Sequence, residues 1–156
     1  MIEIVIPGSD TLSLAHLLMD YNGTLAQDGV LLEGLPERLL DLSEKLQLHV
    51  ITANTFGHAR RQLEGIPCEV AIVSGENQAQ AKLAYLEQLG RSLVVAVGNG
   101  RNDHLMLQSA ALGIAVIQGE GAALPACLAA DVIVPDVLAA LDLLRYPKRL
   151  IATLRN

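Results

Sequence analysis

A three-layer α/β fold, a doubly wound parallel sheet between two layers of helices, is predicted by three observations on this 156-residue chain. Short apolar runs alternate with helical segments, the arrangement by which parallel strands are connected. Four of those runs, 48–52, 69–73, 93–97 and 112–117, are apolar almost throughout instead of alternating, as strands buried on both faces are. Hydrophobic residues make up 51 % of the chain and aromatics only 3 %. Leu, Ala, Val and Ile therefore fill the core, and the length suits one domain over residues 1–156.

The elements follow in order. Residues 2–6 and 11–14 flank Pro7-Gly8-Ser9-Asp10, a turn cluster that predicts an opening hairpin extending the sheet. The hairpin leads to an apolar strand ending abruptly at Asp20. Asp28-Gly29, inside 25–32, suits a tight hairpin turn. Pro36 stands where a helix starts, and Leu39, Leu40, Leu42 and Leu46 form its apolar stripe. A strand at 48–52, a short helix at 59–63 and a strand at 69–73 come next. The helix at 76–89 stops at Gly90. The strand at 93–97 enters Gly98-Asn99-Gly100, a helix covers 104–110, and a strand covers 112–117. Helix 122–129, a short strand at 132–134 and helices at 137–144 and 148–154, divided by Pro147, close the chain. The whole reads as a Rossmann-like parallel sheet with an N-terminal β-hairpin.

Composition removes several classes of function. A formal net charge of −6 with scattered basic residues argues against nucleic acid, whose phosphates are bound by clustered Lys and Arg. Cys68 and Cys127 lie far apart, without metal-ligand spacing, and read as reduced thiols of a cytoplasmic protein. Residues 1–8 lack a basic segment and reach Pro-Gly too early for a secretory signal. No apolar run is long enough to span a bilayer.

Four features fall at strand ends, where open α/β sheets place their reacting groups. Asp20 ends the first core strand and is followed by Tyr21-Asn22-Gly23-Thr24; a carboxylate there can attack phosphorus, and it can also simply cap a turn. Thr52 ends the next strand before Ala53-Asn54, as a phosphoryl-oxygen donor or a turn hydroxyl. Lys82, on the helix at 76–89, is either a neutraliser of phosphate charge or a solvated lysine. In Gly98-Asn99-Gly100-Arg101-Asn102-Asp103, small residues permit close backbone approach, and Asn99 and Asp103 offer the hard oxygens Mg²⁺ prefers.

Taken together, these pieces resemble the haloacid dehalogenase-like phosphotransferase superfamily. Its first motif, Asp-x-Asp-x-Thr, is similar to Asp20 through Thr24. Its second-motif Ser or Thr is similar to Thr52, its third-motif Lys to Lys82, and its Gly-Asp-Gly-x-Asn-Asp turn to Gly98 through Asp103. Within the superfamily the phosphorylation domain of P-type ATPases is the nearest likeness, because the turn leads through Leu105, Leu107 and Ala110 to Gly113-Ile114-Ala115. The resemblance spans residues 17–136. It implies Asp20 as the nucleophile, Thr52 and Lys82 as binders of the transferring phosphoryl oxygens, and Gly23, Thr24, Ala53 and Asn54 beside the substrate. It implies Mg²⁺ held by Asp20, the Asn22 carbonyl and the Asn99 or Asp103 side chain.

The pattern departs from the family at two points. Asn22 replaces the carboxylate that acts as acid towards the leaving group and base towards water, and an amide does not shuttle that proton. Asn99 replaces the first acid of the fourth motif with an uncharged oxygen. The expectation is a slow Mg²⁺-dependent phosphatase or a long-lived phosphoenzyme acting on a small phosphorylated substrate. The alternative is a phosphate-responsive binding module. A two-component receiver domain fits poorly, because Glu3 and Asp10 lie in the opening hairpin instead of a strand-to-helix turn. No cap domain fits between Asp20 and Lys82, and capless relatives resembling the octulosonate-phosphate phosphatases assemble as tetramers, so a homo-oligomer is expected. Arg101, His58, His104 and Glu120 stand near the same edge and read as turn or surface residues. His16 and His49 read as structural, and Asp131 and Asp136 as turn caps.

Overall fold

The computed structural model describes residues 1–53 and 57–156. The strands β1 (Ile2–Ile4) and β2 (Leu12–Leu14) pair antiparallel as a sheet of their own. This corrects the expectation that the opening hairpin extends the main sheet. The physical reason lies in the next strand, β3 (His16–Asp20), which is hydrogen-bonded on both sides and leaves the hairpin no free edge beside it. The hairpin instead buries Ile2, Ile4 and Leu14 against the core.

After β3 come a small hairpin of β4 (Ala26–Gln27) and β5 (Val30–Leu31), helix α1 (Leu35–Ser43) and β6 (Gln47–Thr52). Then follow α2 (His58–Gln62), β7 (Cys68–Ile72), α3 (Gln78–Leu89), β8 (Val94–Gly98) and α4 (His104–Ser109). The remainder is β9 (Leu112–Val116), α5 (Leu124–Ala129), β10 (Val132–Val134), α6 (Val137–Arg145) and α7 (Pro147–Leu154). The six core strands form one parallel sheet in the order β10-β9-β8-β3-β6-β7.

That order marks a candidate functional edge. The chain starts at the central β3, moves outward through β6 and β7, then crosses back to build β8, β9 and β10. The reversal lies between β3 and β8, and ligands of open α/β sheets bind at such a reversal, beyond the carboxyl ends of the strands.

Side chains from the two faces of the sheet pack into two cores. Leu17, Met19, Val50, Val97 and Ile114 meet α1, α6 and α7 through Leu39, Leu42, Leu141 and Leu150. Leu18, Ile51 and Ala96 meet Leu86 of α3, Met106 and Leu107 of α4 and Ala126 of α5. In α1 the buried residues Leu35, Leu39 and Leu42 recur at helical spacing behind a proline in the first turn. Close packing of α4 on β9 depends on Gly113, where an added Cβ would lie 2.2 Å from the Leu107 carbonyl oxygen.

Candidate active site

Asp20 is the last residue of β3 and lies on the α3 side of the sheet, two residues from Leu18. The backbone turns sharply after it. The Tyr21 carbonyl accepts from the amides of Thr24, Leu25 and Ala26, at 3.3, 2.9 and 3.0 Å. Gly23 in this turn has φ +80°, and a Cβ there would lie 2.4 Å from Asn99 Nδ2. Only glycine satisfies both demands, so Gly23 brings the turn against the loop after β8.

A buried ionic chain occupies the edge. Lys82 Nζ donates to Asp20 Oδ1 and to Asp103 Oδ1, both at 2.7 Å. Lys82 is only 1 % exposed and Asp103 fully buried. A charge at that depth is tolerated only when paired. Asp103 Oδ2 accepts from the amides of Asn99 and Gly100 at 3.0 and 2.8 Å, which folds the loop after β8 back on itself. Asp103, expected among the metal ligands, gives one oxygen to Lys82 and the other to these two amides. Asn99 donates through Nδ2 to the Gly121 carbonyl at 2.9 Å, which turns its Oδ1 towards the Thr24 hydroxyl at 3.4 Å. The same hydroxyl lies 3.4 Å from Asp20 Oδ2.

Two carboxylates share one ammonium, and this sets the electrostatics. Burial, then the negative charge of Asp103, push the Asp20 carboxyl up to about 7 against the opposing pull of Lys82. Burial pushes the Lys82 ammonium down, but the two carboxylates outweigh it and hold its pKa above the ordinary value. The lysine is held charged, and Asp20 holds a proton more readily than an ordinary carboxyl.

The other expected residues are placed as follows. Thr52 ends β6 buried, one residue beyond the pair Asp20–Ile51, and Ala53 beside it is exposed. Asn54 lies outside the described residues. Asn22 is exposed. His58, expected to be solvated, instead hydrogen-bonds the Gly29 carbonyl at 2.7 Å, and the Tyr21 hydroxyl donates to the same oxygen at 2.9 Å. Both fix the small β4–β5 hairpin beside the site. Arg101 and Glu120 are exposed, and His104 binds the Arg101 carbonyl at 2.7 Å. Asp136 caps α6 as expected, accepting from Ala139 N at 2.7 Å.

Sequence reasoning missed two glutamines that brace the site, Gln118 and Gln78. Gln118, two residues past β9, donates to the Gly23 and Thr24 carbonyls and accepts from Val137 N at 2.9 Å. Asn102 donates to Gln78 Oε1 at 2.7 Å, tying the loop after β8 to the first turn of α3. Position at a strand end was the available signal for Gln118; nothing local marks Gln78. A cavity of about 460 Å³ opens beside this tie, lined by Glu76, Gln78, Arg101, Asn102 and His104.

Among the described residues no three His, Cys, Asp or Glu side chains are arranged to hold a metal ion. Asp20 Oδ2 and the Asn99 amide oxygen each lie 3.4 Å from the Thr24 hydroxyl, with the Asn22 carbonyl in the adjoining turn. This is a hard oxygen set of the kind Mg²⁺ takes, with little charge.

No family model matches the chain. It is 46 % identical over 80 residues to the uncharacterized protein MJ0073 of Methanocaldococcus jannaschii, spanning 49 % of this chain and 86 % of that one. In solved structures it resembles the 3-deoxy-D-manno-octulosonate 8-phosphate phosphatase of Moraxella catarrhalis, in complex with magnesium ion, phosphate ion and KDO. The TM-score is 0.67 at 17 % identity, covering 91 % of this chain and 94 % of that one. The cobalt-bound phosphatase of the same name from Haemophilus influenzae gives a TM-score of 0.71 at 12 % identity, covering 92 % and 94 %. Among the described residues no helix is long and apolar enough to cross a membrane.

Proposed function

We propose, for a chain that belongs to one family with MJ0073 and has the capless haloacid dehalogenase-like fold, a slow phosphohydrolase or phosphotransferase working through an aspartyl-phosphate at Asp20. The observation that carries this reading is the buried Asp20–Lys82–Asp103 chain at the reversal point of the sheet. Asp20, buried but still 7 % exposed, keeps a narrow opening at the edge where open α/β sheets bind their ligands. The substrate is a small phosphorylated molecule whose remainder extends towards Arg101 and Asn102.

Asp20 attacks phosphorus through a carboxylate oxygen, forming the O–P bond as the bond to the leaving oxygen breaks. Lys82 neutralises charge on the phosphoryl oxygens and keeps Asp20 aimed. Thr52 donates to a phosphoryl oxygen, and Gly23 and Thr24 line the same turn with their backbone. Water then attacks the acyl phosphate, releasing phosphate and restoring the carboxylate. Magnesium, when bound by Asp20, the Asn22 carbonyl and Asn99, supplies further neutralisation of phosphoryl charge. The Asn22 amide protonates no leaving group and activates no water, so hydrolysis of the phosphoenzyme is slow. That persistence is the property the likeness to P-type ATPases implies.

The same two asparagines favour a second reading, a phosphate-responsive binding module with negligible turnover. We further take residues 1–156 as a single domain of a cytoplasmic homo-oligomer, since no cap shields the site. Intact-protein mass after incubation with acetyl phosphate and Mg²⁺, beside Asp20→Ala, tests the proposal. A phosphate adduct on the wild type, absent from the variant and from chelator-treated protein, is expected. No adduct and no phosphate release would leave the binding module.

A further inference from the structure

Of the internal asparagines, only Asn22 and Asn99 are followed by glycine. Both stand where the resembled motifs carry carboxylates. An asparagine before glycine is open to attack on its own side-chain amide, because no Cβ on the next residue hinders the incoming backbone nitrogen. Asparagine is also among the thermally labile side chains.

The fold treats the two pairs differently. Asn99 is 8 % exposed and its amide is held by the Gly121 carbonyl. Its own backbone N and that of Gly100 are both held by Asp103 Oδ2. Asn22 is exposed, and among the described residues nothing hydrogen-bonds its amide. A single main-chain bond, Gly23 N to Ala26 O at 2.8 Å, restrains the attacking nitrogen.

We propose that Asn22-Gly23 is a self-modifying pair whose spontaneous deamidation returns a carboxylate to the site, while Asn99 stays an amide. Gly23 N attacks Asn22 Cγ and gives up its proton to solvent. The Cγ–Nδ2 bond breaks and ammonia leaves, giving a cyclic imide. Water opens the ring at Cγ to aspartate, or at the main-chain carbonyl to isoaspartate. One water is consumed, one ammonia is released, and nothing is oxidised or reduced. The aspartate regains the acid–base group that Asn22 lacks. The isoaspartate adds a methylene to the main chain and displaces the turn. The chemical change stands on the geometry of the two loops; the gain in activity rests on the proposed function.

Trypsin separates the two pairs, because cleavage after Arg38, Arg91 and Arg101 leaves Asn22 in peptide 1–38 and Asn99 in peptide 92–101. Native protein is held at mildly alkaline pH for about ten times the period in which urea-unfolded chain half-converts, since local opening must precede attack. The expected result is a gain of about 1 Da in peptide 1–38 alone, both peptides converting only in the unfolded chain. Hydrolysis of p-nitrophenyl phosphate by the aged protein should rise in step, towards that of Asn22→Asp. Asn22→Gln, which would cyclise through a less favourable six-membered ring, should show neither change. No shift in native 1–38, or an equal shift in native 92–101, overturns the proposal. So does a shift without rising turnover while Asn22→Asp is active. Inactive Asn22→Asp would instead remove the proposed function, and the mass shift confined to 1–38 would still support the modification.

Discussion

The same three elements, β3, β6 and α3, carry a polar cluster at each end, and the two are built on opposite principles. At the carboxyl edge lie Asp20, Thr52 and Lys82, with Asp103 from the neighbouring loop. At the amino edge lie His16, His49 and Tyr85, where His16 Nδ1 meets His49 Nε2 at 3.1 Å and His49 Nδ1 meets the Tyr85 hydroxyl at 3.0 Å. The histidine cluster is closed and neutral. His16 and His49 meet at a tilt and His49 and Tyr85 edge-on, at 5.2 and 5.7 Å between centroids, and burial, then the neighbouring His16, holds His49 below the usual histidine range. The carboxyl-edge cluster is charged, with two carboxyl groups on one ammonium, and burial together with the Asp103 charge raises the Asp20 carboxyl well above its ordinary value. The larger cavity, about 520 Å³ beside His49 and Glu69, borders the neutral cluster. Charge, more than volume, distinguishes the carboxyl edge.

Removing the shared cation breaks this comparison most severely. Lys82→Ala leaves Asp20 and Asp103 facing each other without compensation and removes the group proposed to neutralise the phosphoryl oxygens. Adduct formation from acetyl phosphate should fall by about 10²–10³-fold, the size of losing one preorganised electrostatic donor. Lys82→Met, which keeps the volume without the charge, should lose activity equally. Retained labelling in both variants would assign the ion pair to structure alone.

The next effect sharpens the contrast in the opposite direction. Asn22→Asp adds a carboxylate at the exposed lip, and turnover of p-nitrophenyl phosphate should rise at least about tenfold, within the range of general acid–base assistance. The phosphoenzyme should become correspondingly shorter-lived by mass. An unchanged lifetime would show that the proton shuttle is not what limits hydrolysis.

How much of this was legible beforehand depended on whether a residue acts through local pattern or through distant backbone. The apolar runs predicted the core strands: β8 and β9 are buried on both faces, whereas the edge strands β7 and β10 leave Ile72 and Ile133 exposed despite their apolar composition. Asp20 and Asn99 were found as the first polar residues at or after strand ends. The hairpin's separate sheet was missed because sequence does not reveal that β3 is flanked on both sides. Asp103 matched a motif, yet its partners are two amides and a lysine 21 residues away. Gln118 offered only its position just past a strand end and Gln78 no local signal, since each braces the site by binding atoms remote in the chain. His16 and His49 were recognised as structural, but their mutual hydrogen bond depends on strand register.

Stability separates the two clusters by the sign of their pH dependence. Asp20 ionises in the folded chain near 7 instead of its ordinary 3.8, so between those values the folded state binds the extra proton. Its contribution to stability therefore declines as pH rises from about 4 to 7. Asp20→Asn, a neutral isostere, should raise the melting temperature by a few degrees at about pH 8 and by much less at about pH 5. A fall at about pH 8 would mean that the attraction to Lys82 outweighs burial and the repulsion from Asp103.

The smallest effect belongs to the amino edge and has the opposite sign. His16 and His49 are both lowered from 6.5 by burial, so the unfolded chain takes up protons first as the solution is acidified. Their contribution is present above 6.5 and lost as pH falls below it. His49→Gln keeps hydrogen-bonding capacity but does not titrate, so the drop in melting temperature between about pH 7 and pH 5.5 should shrink in that variant. Labelling of Asp20 above pH 7 should be unchanged, because the histidine cluster is already neutral there. Equal acid sensitivity in wild type and variant would mean that the pair accepts a proton without strain, sharing it across the 3.1 Å contact, and that the two ends of these strands differ less than their composition implies.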